Sequence, residues 1–233
     1  MQDKPTDFPD AQADGSALKP ITRTLLDRRA TNQFTDEEVP EEYLEAILQF
    51  GAQAPSGYNL QPWRFVVVRG AENRQRLQGA AFGQPKVGQA PVVIIFVGMK
   101  EEWKQTADEI FGEGAQRGAG NPETVEQYKQ QAIGFISSMD AAMWVNRHTM
   151  IAFTTMMLVA EAYGFDTAPM EGFDAAAVKR EFAIPEEGEV VGLLAIGRAK
   201  SPDKAYPGRF PLERIVFEEK FGEAWGKEGG GKK

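Results

Sequence analysis

One long apolar helix constrains the fold of this chain more than any other feature of the sequence. Residues 140–163 have the length of a long helix, and residues 148–160 include no formal charge. The apolar residues of this stretch spread around the helix axis: Met150, Ile151, Phe153, Met156, Met157, Leu158 and Val159. A helix without a polar face must be covered on all sides. In a chain of 233 residues, we expect a second subunit to provide part of that cover.

The scarcity of thiol and imidazole groups excludes several kinds of chemistry. The chain contains no cysteine and one histidine, His148. Disulfides, thiolate metal sites and sites built from several histidines are therefore excluded, and we expect no metal. A Ser-His-Asp triad would lack the Gly-x-Ser-x-Gly turn that presents its serine. Any redox activity must use an organic cofactor, because these side chains do not carry electrons.

The charge balance and hydropathy argue against two classes of partner. The formal net charge is −8, whereas a nucleic-acid surface needs a basic patch, so we expect no nucleic-acid partner. No run of 18 or more apolar residues is present, so we expect no membrane span. Residues 1–19 are polar and lack the apolar core of a secretory signal. These features predict a soluble cytoplasmic protein.

The distribution of proline, glycine and charge predicts one domain with flexible ends. We expect a flexible arm at residues 1–18, a single domain at residues 19–225 and a flexible tail at residues 226–233. Residues 100–122 are charged and Gly-rich, which predicts a long irregular insertion that is either a lid or a poorly ordered excursion. Residues 198–225 predict an extended C-terminal arm, in which residues 215–217 add an edge strand or cross to a partner.

Hydrophobic spacing predicts the helices and strands of the domain. Helices are expected at about residues 22–29, 40–53, 72–81, 124–139, 140–163 and 175–182, and apolar strands at 63–68, 91–97 and 190–196. In the first helix we expect Leu25 and Leu26 to turn inward. Strand 63–68 lacks alternation, which predicts burial on both faces. Residues 165–174 predict a loop, and Gly164 is expected to end the long helix.

Two polar segments are candidates for ligand binding. Between the second helix and the first strand lie Pro55, Ser56, Gly57, Asn59 and Gln61, which combine chain-breaking residues with short hydrogen-bonding groups. Such a loop is suited to gripping a planar polar ligand, although a connector that satisfies its own polar groups is the alternative. The adjacent arginines at positions 28 and 29 are either solvated surface or a clamp for phosphate.

The polar loop and the arginine pair, together with the segment Pro-Met-Glu-Gly-Phe-Asp at residues 169–174, resemble the nitroreductase family of FMN-dependent oxidoreductases. The resemblance extends over residues 22–216 and includes the pattern Ala-Pro-Ser-x-x-Asn-x-Gln-Pro-Trp-x-Phe from residue 54. It implies an α+β fold with a mostly antiparallel central sheet flanked by helices. It also implies an intertwined homodimer that holds non-covalent FMN at the subunit interface, with the C-terminal extension wrapped over the other subunit.

The resemblance assigns cofactor-binding roles to three groups of residues. The positions at the FMN phosphate are Arg28, Arg29, Asn32 and Arg209. The positions that reach the flavin of the partner subunit are Pro55, Ser56, Gly57 and Asn59. The positions along the flavin ring are Gln84, Lys86, Met170, Glu171 and Gly172. Ala30 and Asn32 depart from the family pattern, which often has a hydroxyl and a cation there.

The resemblance further implies a ping-pong reaction in which NADH or NADPH reduces the flavin and leaves before a nitroaromatic or quinone acceptor binds. No side chain is required as a catalytic acid or base, so we assign none. Candidate stacking residues for the substrate are Trp103, Phe111 and Phe135. The alternatives are another flavin reaction, such as reductive dehalogenation, flavin destruction or azoline oxidation, a non-catalytic FMN-binding dimer, and a fold that no longer binds flavin.

Overall fold

The computed structural model describes residues 8–201 and 205–226. The described residues divide into two compact units, one within residues 1–203 and one within residues 204–233. The larger unit contains the following elements: α1 (Ile21–Asp27), α2 (Glu41–Ala52), β1 (Trp63–Val68), α3 (Ala71–Ala80), α4 (Pro85–Gln89), β2 (Val92–Met99), α5 (Glu102–Gln116), α6 (Val125–Ser137), α7 (Ala141–Ala162), β3 (Asp166–Met170), α8 (Ala175–Glu181) and β4 (Gly188–Gly197). The smaller unit contains α9 (Leu212–Ile215).

An antiparallel sheet with helices on both faces forms the centre of the larger unit. Its strand order is β1-β2-β4-β3, and each neighbouring pair is antiparallel. Alternate residues of β2 pack on opposite faces, one toward α2 and α7 and the other toward α3 and α8. Every residue of β2 is buried, as expected of an apolar run covered on both faces. The predicted strands at β2 and β4 and the predicted α+β fold are confirmed.

Strand β1 is less buried than its sequence predicts. It forms one edge of the sheet, where only β2 pairs with it. Arg64 is exposed and residues 65–67 are half-buried, so the expectation of burial on both faces is wrong. A run of β-branched residues indicates a strand, but the position of that strand in the sheet decides how much of it is covered.

Helix α7 confirms the long helix predicted from the apolar stretch. The Asp140 carboxylate caps its first turn by accepting a hydrogen bond from the Met143 amide, and Gly164 follows its last turn with a φ of +83°. One side of the helix packs against α2, β2 and β4. The side chain of Ile151 is exposed within this single chain, so part of the apolar surface of α7 has no cover from its own subunit.

Helix α1 forms where the sequence predicts it but presents a different face. Leu25 is 58% exposed and Leu26 is 65% exposed, so the expectation that they turn inward is wrong within one subunit. The buried residue of α1 is Thr24. With Ile21, which is also exposed, the helix therefore adds three large apolar side chains to the uncovered surface of the chain.

Three other segments differ from the sequence-based expectations. Residues 100–122 are largely helical, since α5 covers most of them, and the expectation of an irregular insertion is wrong. Residues 166–170 form β3 rather than a loop. Residues 212–215 form α9, and Phe217 makes an isolated bridge with Ala224, so residues 215–217 are not an edge strand within the smaller unit.

The described part of the predicted N-terminal arm lies on the domain. Phe8 stacks on Phe50 with ring centroids 4.1 Å apart, and the Ala13 amide donates to the Tyr163 carbonyl at 3.3 Å. Residues 1–7 of the predicted arm and residues 227–233 of the predicted tail lie outside the described residues. Within the described ranges no helix is long and apolar enough to cross a membrane, and no group of three or more acidic or histidine side chains is arranged to hold a metal ion.

The crossing of α2 and α7 provides a test of the core packing. A Cβ atom at Gly51, on α2, would lie 2.2 Å from Cγ of the fully buried Met156, on α7. At Gly79, on α3, a Cβ atom would meet nothing within 4 Å. Both substitutions to alanine add the same helix propensity, so they differ mainly in the space available. We expect Gly51→Ala to lower the free energy of unfolding by about 1–3 kcal/mol because of overpacking.

We expect the matched variant Gly79→Ala to raise the free energy of unfolding by roughly 0.5–1 kcal/mol. Urea unfolding followed by circular dichroism measures both values. Equal changes in the two variants would contradict the close approach of the two helices.

Candidate functional site

The arginine pair lies where the chain from α1 joins β3. Ala30 forms a parallel bridge with Thr167, and the Thr31 amide donates to the Thr167 carbonyl at 2.9 Å. The Arg29 guanidinium donates to the carbonyl of Leu26 at 2.7 Å and to its neighbours in the last turn of α1. Both arginines are half-buried. The pair is therefore held at the N-terminal end of β3.

The opposite end of β3 brings together two segments that are far apart in the sequence. The Gln84 side-chain amide donates to the Gly172 carbonyl at 2.6 Å. Gln84 follows a tight turn in which Phe82 has a φ of +55° and Gly83 a φ of +74°, and α4 begins at the next residue. Lys86 lies in the first turn of α4 and is half-buried. The segments predicted to line a flavin ring thus meet at one place.

The backbone along β3 forms a ledge, defined here as residues 28–31, 166–172, Gln84 and Lys86. Its basic end is at Thr167, where the segment after the arginine pair is bonded, and its amide end is at Gly172. Gly172 is five positions after Thr167, which corresponds to about 16 Å of extended chain. Glu171 and Gly172 are exposed at the amide end. The ledge suits an elongated ligand with an anionic group at one end and a flat polar group at the other.

The polar loop before β1 has a constrained backbone. Tyr58, Asn59 and Gln61 have φ values of +55°, +58° and +46°, in the left-handed region that non-glycine residues rarely adopt. The Ser56 hydroxyl accepts a hydrogen bond from the Gln61 amide at 2.9 Å and closes the loop on itself. Such backbone conformations persist when surrounding contacts fix them, and they concentrate at functional sites. The Ser56 hydroxyl is used within the loop, whereas Asn59 is exposed.

His148 holds the polar loop against α7. The Gly57 amide donates to Nδ1 of His148 at 3.4 Å, and the His148 ring packs edge-on against Trp144 with centroids 4.7 Å apart. A Cβ atom at Gly57 would lie 3.3 Å from Nε2 of His148, so glycine permits this close approach. His148 thus connects the polar loop to α7.

Partial burial favours the neutral form of His148. Desolvation lowers the pKa of His148 below its ordinary value of 6.5, and the charge of Arg147 lowers it further. A neutral imidazole whose Nδ1 accepts a hydrogen bond carries its proton on Nε2. Protonation of Nδ1 would replace this acceptor with a donor facing the Gly57 amide.

Within one subunit, the basic end of the ledge and the polar loop lie at different places along α7. Lys19, which precedes α1, donates its amide to the Ala162 carbonyl at the last residue of α7, and β3 starts four residues later. The loop instead contacts His148, which is 14 residues before Ala162. At 1.5 Å per residue this separation is about 21 Å. One chain therefore does not bring the arginine pair and the polar loop to the same ligand end.

Two cavities adjoin these segments. One of about 470 Å³ lies between the polar loop and the hairpin of α5 and α6, and its lining includes Tyr58, Asn59 and Phe111. The other, of about 310 Å³, lies at the amide end of β3 and is lined by Met150, Phe153, Pro169, Met170, Glu171, Val191 and Gly192. Sequence reasoning missed this second cavity, whose lining residues Val191 and Gly192 lie at a register shift of β4 opposite residues 96 and 97.

The predicted stacking residues separate into three cases. Phe111 lines the larger cavity. Trp103 is 3% exposed, packs on Trp144 with centroids 5.2 Å apart and donates its indole N–H to the Lys100 carbonyl, so it is a core residue and is removed as a stacking candidate. Phe135 is exposed on α6 and is not among the lining residues, and its role stays a prediction.

The other predicted phosphate ligands lie at exposed positions. Asn32 is exposed just after the arginine pair, as is Ala30. Arg209 belongs to the smaller unit, where its guanidinium lies 5.5 Å from the ring centroid of Tyr206 and donates to the Gly208 carbonyl. The cofactor-binding roles of Asn32 and Arg209 stay predictions.

Comparison with known proteins identifies the family. The sequence pattern of the nitroreductase family matches residues 25–198. An NADH dehydrogenase of Thermus thermophilus is 35% identical over 193 residues, covering 82% of this chain and 92% of the relative. MhqN, a candidate NAD(P)H nitroreductase of Bacillus subtilis, is 32% identical over 204 residues, covering 84% and 97%. The crystal structure of a candidate nitroreductase from Exiguobacterium sibiricum, in complex with FMN, is 24% identical with a TM-score of 0.78, covering 86% and 98%. The chain belongs to the nitroreductase family.

His148 provides a direct test of the loop contact. As the sole histidine, it gives one Hε1 resonance in a proton NMR titration. We expect its midpoint below pH 6.5, because the folded environment disfavours the imidazolium. The unfolded chain then binds more protons at low pH, so the stability associated with neutral His148 is present above pH 6.5 and decreases on acidification.

The variant His148→Gln serves as the control, since its side chain does not titrate. We expect its unfolding free energy to lose the part of the pH dependence that His148 supplies. A midpoint at or above pH 6.5 would contradict the buried, accepting imidazole.

Proposed function

We propose that this protein is an FMN-dependent oxidoreductase that uses NADH or NADPH to reduce nitroaromatic or quinone acceptors. The observation that carries the proposal is the ledge along β3, with two arginines at one end and the Gln84–Gly172 contact at the other. Family membership supports it, as do the names of two relatives, one an NADH dehydrogenase and one a candidate NAD(P)H nitroreductase. The similar structure solved with FMN supports the choice of cofactor.

The donor groups at the basic end of the ledge fit a phosphate. Arg28 and Arg29 offer planar guanidinium groups, which bind phosphate oxygens with paired hydrogen bonds. Ala30 and Asn32 provide neither a hydroxyl nor a charge, so Arg28 and Arg29 carry the phosphate interaction at this end in our proposal. A phosphate-binding role for Arg209, which belongs to the smaller unit, stays a prediction.

The groups at the amide end fit the polar edge of a flavin. Gln84 is oriented by its bond to Gly172, and Lys86 follows it in the first turn of α4. A cation near this edge stabilises negative charge on a reduced flavin. Gly172 is exposed and has no side chain, so its backbone is accessible. Met170, Glu171 and Gly172 would contact the ring along its length.

In this reaction the protein binds, orients and excludes water. Bound FMN supplies the redox chemistry, accepting a hydride equivalent from NADH or NADPH and reducing the acceptor. The chain contributes fixed hydrogen-bond donors along the ledge and a loop whose backbone is already ordered, so little freedom is lost when a ligand binds. No side-chain acid or base is assigned.

We also propose that two copies of the chain form the complete site. Leu25, Leu26 and Ile151 expose apolar surface that a second subunit would cover. In this homodimer Pro55, Ser56, Gly57 and Asn59 of one chain reach the ligand on the ledge of the other, as the family resemblance implies.

The first experiment measures the visible absorption spectrum of the purified protein. We expect a flavin spectrum, release of free FMN on heating, and bleaching when NADH or NADPH is added under argon. Bound FMN without bleaching would instead indicate a non-catalytic flavoprotein. A colourless protein that takes up no added FMN would overturn the proposal.

The variant Arg28→Ala tests the phosphate assignment in the same experiment. Charge-assisted hydrogen bonds contribute roughly 1.5–3 kcal/mol, so we expect the dissociation constant for FMN to rise roughly 10- to 100-fold. Arg180→Ala is the matched control, because Arg180 is an exposed arginine on α8. Equal FMN affinity in the wild type and Arg28→Ala would contradict the assignment.

The dimer is tested by placing a charge on the exposed face of α1. Leu26 is largely exposed in a single chain, so Leu26→Glu removes little packing within the subunit but disfavours an apolar interface. We expect light scattering to give twice the mass of one chain for the wild type and a shift toward the single-chain mass for Leu26→Glu. Leu26→Met keeps the apolar surface and is expected to remain dimeric. A single-chain mass for the wild type would overturn the dimer.

A further inference from the structure

Lys19 connects two helices near the basic end of the ledge. It precedes α1, and its ammonium nitrogen lies 2.6 Å from Oε1 of Glu161, in the last turn of α7. The same nitrogen lies 4.0 Å from Oδ2 of Asp27, the last residue of α1. The arginine pair follows Asp27 directly in the sequence. One side chain therefore contacts both the long buried helix and the residue that precedes the proposed phosphate ligands.

Glu161 is an acidic group at an unfavourable position. Its side chain is 7% exposed, and it lies at the C-terminal end of α7, where the partial negative charge of the helix disfavours a carboxylate. A buried charge costs free energy unless it is paired. The Lys19 ammonium offsets both costs, because a cation is favourable at a helix C-terminus and beside a buried carboxylate. We therefore expect this pair to hold its geometry better than an exposed surface pair.

Helix α1 has little other packing on its own subunit. Its buried residue is Thr24, whereas its three large apolar side chains are exposed. The Lys19 backbone adds one contact, since its amide donates to the Ala162 carbonyl at 3.3 Å. A helix of seven residues is too short to be stable alone in water. The position of α1 therefore depends on these few tertiary contacts, of which the Lys19–Glu161 pair is one.

The arginine pair depends in turn on the end of α1. The Arg28 amide donates to the Thr24 carbonyl at 3.0 Å, and the Arg29 guanidinium donates to the Leu26 carbonyl at 2.7 Å. The chain that follows the pair is bonded to β3. The two arginines are thus held by α1 on one side and by β3 on the other. A change in the tilt of α1 would move the guanidinium groups relative to β3.

We propose that Lys19 is a positioning residue for the flavin phosphate. Through Glu161 and Asp27 it sets the position of α1, and α1 sets the position of Arg28 and Arg29. Lys19 itself does not contact the ligand in this proposal. The inference rests on the proposed function, in which the arginine pair binds the phosphate. Loss of the Lys19 charge should therefore weaken the binding of a phosphorylated flavin more than the binding of the same ring without its phosphate.

The test compares FMN with riboflavin, which has the same ring system and lacks the phosphate. The variant Lys19→Met keeps a side chain of similar length and removes the charge. We expect its dissociation constant for FMN to rise about 3- to 10-fold, as for the loss of a partly buried ion pair. Its dissociation constant for riboflavin should change less than about twofold. Titration followed by flavin fluorescence measures both constants.

Two further variants separate the effect of this charge from that of any lysine substitution. Lys19→Arg keeps the cation and should restore the affinity for FMN. Lys104→Met is the matched control, because Lys104 forms an ion pair with Glu101 at the exposed start of α5. We expect Lys104→Met to leave the dissociation constants for FMN and riboflavin unchanged.

Hydrogen exchange followed by mass spectrometry tests the inference without any flavin. We expect the amides of residues 20–31 to exchange faster in Lys19→Met than in the wild type or Lys19→Arg, because α1 loses a contact that holds it on α7. The amides of β2, which is buried along its whole length, should exchange equally in all three proteins.

Four results would overturn the inference: equal exchange in residues 20–31, equal affinity for FMN, equal loss of affinity for FMN and riboflavin, or no recovery in Lys19→Arg. A wild-type protein that binds neither FMN nor riboflavin would overturn the proposed function instead. The exchange of residues 20–31 would then still decide whether Lys19 positions α1 and the arginine pair.

Discussion

The close packing of α7 between α2 and the sheet is the contact on which the rest of the structure depends. Three glycines permit it: a Cβ atom at Gly51, Gly98 or Gly192 would lie 2.2 Å, 2.7 Å or 3.1 Å from a side chain of α7. Protein interiors are packed at crystal-like density, so such a helix has few alternative positions. Because α7 is fixed, so are the loop that contacts its N-terminal half and the strand that follows its end.

In our proposal the candidate site is divided between two chains. The arginine pair is held at the start of β3, and the polar loop is held at His148. A second chain would cover the exposed apolar residues of α1 and α7. In our proposal the same surface that lacks cover also lacks half of its ligand contacts, so association and ligand binding depend on each other.

The sequence predicted the helices and strands that depend on local pattern, but it missed the burial of residues that depends on their tertiary neighbours. Apolar runs predicted β2, β4 and α7, and the spacing of Leu44 and Ile47 predicted α2. The burial of β1 and the inward turn of Leu25 were wrong, because both depend on which neighbours are present. Helix α5 was missed because Gly112 and Gly114 suggested an irregular segment, whereas buried Trp103 and Ile110 stabilise the helix. Family resemblance assigned Gln84 and Gly172 to one site, but only the structure shows the hydrogen bond between them.

The hairpin of α5 and α6 has its own small core, separate from the two clusters that cover the sheet. That core includes Leu60, Trp103, Ile136 and Trp144, and it meets the rest of the domain mainly at the start of α7. We expect a substitution in the hairpin to act mainly on this cluster rather than on the two clusters that cover the sheet. In our proposal the hairpin is thus a packing unit distinct from the part of the chain assigned to the cofactor.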